Sequence, residues 1–206
     1  MTGVLPVAPF PPLHWWRLAA AGAVVDGGEP FVKQSERSRL RLAGARGATS
    51  MAWDVVHAEG TSYTAEMRLS DHTPPRVRWR MLVTDYGTAP FFEHIAPELE
   101  PIFRSPPDTL GQLARWSWDW VCEWTGWEVP VVSGDGLPWD AERAAAGRDL
   151  RERQALRGKG WHFAPYPQVF SPATGFIERC SVLDALMHLG PDLGGQLDEL
   201  VRSERA

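Results

Sequence analysis

"VLPVAPFPPLHWWRLAAAGAVVDG", residues 4–27, is the stretch on which the fold turns. Residues 4–10 are apolar and end among prolines, which suits a short strand followed by a turn. "LHWWRLAAAG" (13–22) is a helix-prone run stopped by Gly22, because glycine tolerates the cap geometry that ends helices. "AVVDG" (23–27) is a second short apolar run, suited to a buried strand. Strand, helix, strand in that order predicts a parallel sheet with a covering helix.

Working outward, "SRLRLAG" and "ATSMAWDVVHAEG" flank "ARG" and predict a hairpin, and "TSYTAEMRLSD" alternates like another strand. The middle is helical. "VRWRMLVTDYG" ends at Gly87, and "APFFEHIAPELEPIF" reads as a short helix with prolines at its edges. "DTLGQLARWSWDWVCEWTG" opens on an Asp/Thr start signal, stops at Gly126 and carries its apolar residues at helical spacing, with an arc wide enough for burial on two sides. "EVPVVSGDG" reads as strand and turn, and "AERAAAGRDLRERQALRG" as a charged helix interrupted by Gly147 within the most mobile span, 140–160. "YPQVFSPATGF" reads as a loop, and "CSVLDALMHLG" and "LGGQLDELVR" as closing helices. The expected class is therefore α/β: a small mixed sheet in the N-terminal half with a helical C-terminal half packed on it. One domain is expected over 1–206, with 1–70 sheet-rich and 71–206 mainly helical.

Composition bounds the function. The 206 residues carry 21 Lys plus Arg against 26 Asp plus Glu, a formal charge of −5, which argues against a broad nucleic-acid face. The two cysteines, Cys122 and Cys180, make no metal motif or disulfide scaffold. No metal is expected, and no cofactor is named by the sequence. The first residues lack the pattern of a secretion signal, and no apolar run approaches the ~18 residues of a membrane span, so a cytoplasmic protein is the expectation.

Three features carry candidate chemistry. The 11 tryptophans include a stripe at 116, 120, 124 and 127, whose spacing favours core packing over a stacking platform. Trp15, Trp16, Trp139 and Trp161, near turns and prolines, are better stacking candidates. Cys180 stands at a helix start, where a thiol is activated, yet no triad spacing accompanies it. Asp184 interrupts an apolar helix and needs either a partner or a cavity. The third feature is "PFVKQSERSRLRLAG" (30–44), which packs Lys33, Arg37, Arg39 and Arg41 into nine residues. Alternating arginines on a strand share a face and repel one another unless carboxylates or a bound anion lie among them.

"FVKQSERSRLRLAGARG" resembles the signature of the WbqC-like protein family, a K-Q-[ST]-x-R-N-R motif followed by a hairpin. "PFPPLHWWRL" resembles the family's opening, "RWRMLVTDYGTAPFFEHI" its W…Y…P-F-F-E block, and "DLR" (149–151) its Asp-hydrophobic-Arg. "PYPQVFSPATGFIERCSVLDALMHLGP" resembles its closing Y-x-Q-V-F…S-[IV]-L-D segment. Ser38 replaces the family's Asn, "TSMAWDV" its proline-bearing strand, and Arg179 an Asn before the last motif. The resemblance implies surface-polysaccharide (O-antigen type) biosynthesis, and acyl or aminoacyl transfer to an amino sugar is one reaction it permits.

The expected ligand is a small molecule, a nucleotide sugar or an acyl donor. Lys33, Gln34, Arg37 and Arg39 would hold its phosphate or carboxylate, Tyr86, Tyr166 and Gln168 would line the pocket, and Glu93 or Asp184 would act as general base. Arg37 and Arg39 are both expected buried on one side of a strand, with Asp184 and Glu93 as partners. A non-catalytic sugar-nucleotide binder or assembly module fits the same residues.

Overall fold

The computed structural model describes residues 3–56, 63–134 and 136–203, apart from the side chain of Arg143. The opening folds as read. β1 (Val4–Pro6), α1 (Leu13–Ala20) and β2 (Val24–Asp26) form the strand–helix–strand unit, with Val4 beside Val24 and Pro6 beside Asp26 in a parallel pair. The Trp15 indole donates to the Pro6 carbonyl at 3.0 Å, stapling α1 to the strand that precedes it.

β3 (Arg39–Gly44) and β4 (Gly47–Ala52) make the expected antiparallel hairpin. Leu40 and Leu42 are buried while Arg39 and Arg41 face out, the alternation that a half-buried strand requires. β5 (Val55–Val56) pairs with β6 (Arg68–Leu69), so the strand read over 61–71 is two residues long within the described part; 57–62 lie outside it. Thr64–Glu66 forms a 3-10 turn instead. Its Thr64 amide donates to the Glu29 carbonyl and its hydroxyl to the Pro30 carbonyl, tying this segment to the loop after β2.

α2 (Pro75–Tyr86), α3 (Phe92–Arg104) and α4 (Leu110–Thr125) follow. α3 runs through Pro97 and Pro101 rather than stopping at them. Their spacing of four puts both on the solvent face, where the carbonyls left without amide donors stay hydrated. α4 opens with a Thr109–Gln112 capping box and ends at Gly126, whose φ of 73° is the left-handed cap. It is buried on two sides. Its Trp118 indole donates to the Ala8 carbonyl, and its Ser117 hydroxyl accepts the Phe10 amide.

β7 (Val132–Ser133) extends the parallel sheet to the order β1-β2-β7. The charged segment divides into α5 (Ala141–Ala145) and α6 (Arg153–Leu156) around Gly147, which turns left-handed as Asp149 docks beside Val4 of β1. β8 (Trp161–Phe163), α7 (Ser171–Thr174), α8 (Val182–Leu189), α9 (Leu193–Leu200) and β9 (Val201–Ser203) complete the chain, with β8 and β9 paired antiparallel. A Cβ at Gly194 would meet the Thr125 carbonyl at 2.1 Å, so that glycine is the price of seating α9 against the end of α4. The class is α/β, with the parallel and antiparallel pairings of the described residues divided among four small sheets. Among the described residues no helix is long and apolar enough to cross a membrane.

One core histidine gives a pH signature. His14 is fully buried, with its ring against Trp161 and Phe163. Burial pushes its pKa down to about 4, opposed by the neighbouring backbone carbonyls of Leu156 and Ala155, with Arg179 adding to the depression. Between pH 6.5 and 4 the unfolded chain takes up a proton that the folded chain refuses, so stability falls on acidification. The loss attributable to this residue should reach about 3 kcal/mol by pH 4. Urea titrations of wild type and His14→Phe at pH 7.5 and 4.5 measure it: the acid loss should be smaller in the variant.

Candidate functional site

The carboxyl ends of β1 and β2 are closed by ion pairs. Arg37 and Glu29 are each 1 % exposed and form a two-pronged pair, Nε to Oε1 at 2.9 Å and Nη2 to Oε2 at 2.6 Å. The Val7 amide donates to the same Oε1, and Arg37 Nη2 also donates to the Arg151 carbonyl. Arg151 in turn grips Asp149 and reaches Asp26 at the end of β2. Burial raises the Glu29 carboxyl to about 7, against the pull of Arg37 and the Val7 amide. In open α/β sheets this edge commonly receives ligand; here the chain's own arginines fill it.

The hairpin bears a cleft. A concavity of about 680 Å³ is floored by β3 and β4 and walled by Phe176–Arg179 and by Leu156–Arg157. Arg39, Arg41, Arg157 and Arg179 line it with Glu36 and Glu178, a surplus of two positive charges on a protein whose formal net charge is −5. Arg41 Nε donates to the Glu178 carbonyl, bridging floor to wall, and Arg157 Nε donates to Glu36. Arg179 adopts φ +63°, in the left-handed region where Asn is enriched, which is a physical reason for the family's Asn at this point.

Behind the wall lies a buried polar network. Gln168 clamps Ile177 on both sides: its Nε2 donates to the Ile177 carbonyl at 3.0 Å and its Oε1 accepts the Ile177 amide at 2.8 Å. Gln168 Nε2 also donates to Asp184 Oδ2 at 2.7 Å, and the Tyr166 hydroxyl donates to the same oxygen at 2.5 Å. His188 Nε2 accepts the Val169 amide, which leaves Nδ1 to donate to the Asp184 carbonyl. Burial raises the Asp184 carboxyl above the ordinary range, opposed by hydrogen bonding from Tyr166, Gln168 and Tyr86. Tyr86 accepts the Ala43 amide of β3, so the network supports both floor and wall.

The sequence candidates are therefore divided. Tyr86, Tyr166, Gln168 and Asp184 come together, behind the cleft rather than in it. Arg39 lies in the cleft and is exposed, not buried. Arg37 precedes the strand, points into the sheet edge and pairs with Glu29 instead of Asp184 or Glu93. Lys33 and Gln34 are exposed at the neighbouring turn, where the Gln34 carbonyl accepts from Arg153 and Arg157. Glu93 is exposed on the first turn of α3, apart from Asp184 and outside the cleft lining. Cys180 is buried and burial pushes its thiol up, as it pushes Cys122 up to about 11; neither is an activated nucleophile. Sequence reading passed over Glu29, Glu36, Arg157 and Glu178. Glu36 was legible, one residue from Arg37 inside the signature; the others acquire meaning only through long-range contacts.

The family model for the WbqC-like protein family matches residues 23–150, from the residue before β2 to the Asp149–Leu150 step. The chain belongs to the WbqC-like protein family. The matched span holds the Glu29–Arg37 pair and the hairpin; the Gln168–Asp184 network of this WbqC-like chain lies beyond it. No curated protein and no solved structure matches the chain.

Proposed function

We propose that this WbqC-like chain is an enzyme of bacterial cell-surface polysaccharide biosynthesis that acts on a nucleotide-linked or amino sugar in the cytoplasm, with acyl or aminoacyl transfer as its reaction class. The observation that carries the reading is the arginine-lined cleft, within the ~300–1,000 Å³ of small-molecule sites and positive on an acidic protein. In this reading Arg39 and Arg41 hold a diphosphate or carboxylate, because guanidinium forks match those oxygens in pairs. Glu36 is the general base for an amine or hydroxyl, and Asp184 is a positioning residue that acts through Gln168 and the Ile177 wall. Lys33 and Gln34 serve the rim.

Calorimetric titration with UDP-N-acetylglucosamine, UDP and pyrophosphate tests the reading. Arg41→Ala should weaken each by about tenfold or more, and Arg39→Lys by less, since a point charge replaces a fork. Absence of binding by all three ligands would refute it. One observation favours a non-catalytic binder: the carboxyls raised by burial, Glu29, Asp85 and Asp184, are not among the cleft's lining residues. Binding with no turnover of any amino-sugar acceptor in the presence of acyl donors would select that reading.

A further inference from the structure

Trp139 is the one tryptophan of the described residues that is more than a third exposed, at 51 %. Its indole is nonetheless held. The Arg151 guanidinium lies over the ring at 5.7 Å, a cation–π contact. All five N–H groups of Arg151 are engaged: Nε and Nη2 by Asp149, Nη1 by Asp26 and the Leu137 carbonyl, Nη2 also by the Pro138 carbonyl. An aromatic face backed by an immobilised cation has already lost the freedom that binding would otherwise remove.

The indole borders a second cleft of about 480 Å³. Its lining is mostly small: Ala141, Ala144, Ala145, Gly147, Ala155 and Gly160. Such residues let a flat ring approach the backbone closely. Glu152, Gln154 and Lys159 stand at the same cleft and present an acceptor, an amide and a cation, the partners that a heterocycle edge requires. The segment 152–160 separates this cleft from the arginine cleft, which takes Leu156 and Arg157 from the same stretch.

We propose that the Trp139 cleft is a planar-ring subsite that takes the nucleobase of a nucleotide ligand. The inference rests on the nucleotide-sugar reading above for its choice of ring. Base–aromatic stacking tolerates any base, because each presents a π face, so the subsite selects a nucleotide without dictating which one.

The test uses the full chain and four probes. Saturation-transfer NMR with uridine and adenosine reads the ring subsite, methyl α-glucopyranoside asks whether a sugar ring is taken instead, and calorimetry with pyrophosphate reads the arginine cleft alone. Base protons should carry the strongest transfer. Trp139→Ala should weaken nucleoside binding between about fivefold and 150-fold, and Trp139→Phe should retain most of it. Pyrophosphate binding should be unchanged in both variants, which also shows that they are folded. Nucleoside signals that persist in Trp139→Ala overturn the subsite. Transfer to the glucoside alone overturns its assignment to a base. Pyrophosphate binding without any nucleoside binding overturns this inference and leaves the arginine-cleft reading standing, whereas failure of all the probes removes both.

Discussion

Replacing Arg37 by Met is expected to remove about 3–5 kcal/mol of stability, a large share of the ~5–15 kcal/mol that holds a domain of ordinary stability together. The cause is the carboxylate left behind. Glu29 is 1 % exposed, and without Arg37 its charge retains only the Val7 amide at hydrogen-bonding distance among the contacts described above. Removing Glu29 as well should recover at least about 1 kcal/mol, because an apolar pair of similar volume no longer strands a charge. Part of the loss remains, since the Val7 amide and Arg151 carbonyl lose their partners. The sign of the pH dependence follows from Glu29. Its folded pKa is already raised, to about 7, and losing Arg37 raises it further. A carboxyl raised on folding is most favourable in acid, and its contribution is lost as pH rises through the folded value. The Arg37→Met defect should therefore be smaller at pH 5 than at pH 8. Urea midpoints for the two single variants and the double variant at both pH values measure all of this, with a shift of roughly 1–2 M for Arg37→Met. A wild-type midpoint in that variant would show that the pair is dispensable.

Asp184→Ala is the second large effect, at about 2–4 kcal/mol. Asp184 is fully buried, and the change deprives the Tyr166 hydroxyl and Gln168 amide of their shared acceptor. Asp184→Asn should cost no more than about 1 kcal/mol, because the amide oxygen can replace Oδ2 as the shared acceptor of Tyr166 and Gln168. The Asn variant should also flatten one component of the pH profile. Burial raises the Asp184 carboxyl, so this group's contribution falls as pH rises through its folded value, and an amide does not titrate. The pair of variants separates positioning from chemistry. A positioning residue predicts that pyrophosphate binding in the arginine cleft survives in Asp184→Asn and weakens in Asp184→Ala, as the Gln168 clamp on Ile177 loosens. A general base predicts loss of turnover in Asp184→Asn with folding and binding intact.

Much of the fold was legible because it is local. The apolar runs at 4–10 and 23–27 and the helix between them needed no distant partner to be read. The Arg-Leu alternation of β3 and the capped, tryptophan-rich α4 show the same thing. Where reading failed, a distant contact won. Within the described residues 63–71 the expected strand survives only as β6, because Glu29 and Pro30 hold Thr64 in a turn. The break at Gly147 was legible, but not that Asp149 just after it would dock beside β1.

The candidate site shows the division most sharply. Sequence alone determined that a positive, alternating cluster lies on a hairpin, that Asp184 in an apolar helix must find partners, and that the signatures are those of a WbqC-like chain. It left open which acid meets which arginine. Arg37 took Glu29, eight residues away in sequence; Arg151 took Asp26, 125 away; and Arg41 reached the carbonyl of Glu178, 137 away. Periodicity assigns a side chain to a face, because dihedral angles are local. Partner choice is decided by the cost of burying a charge, and that cost exists only after remote segments have packed together and excluded water.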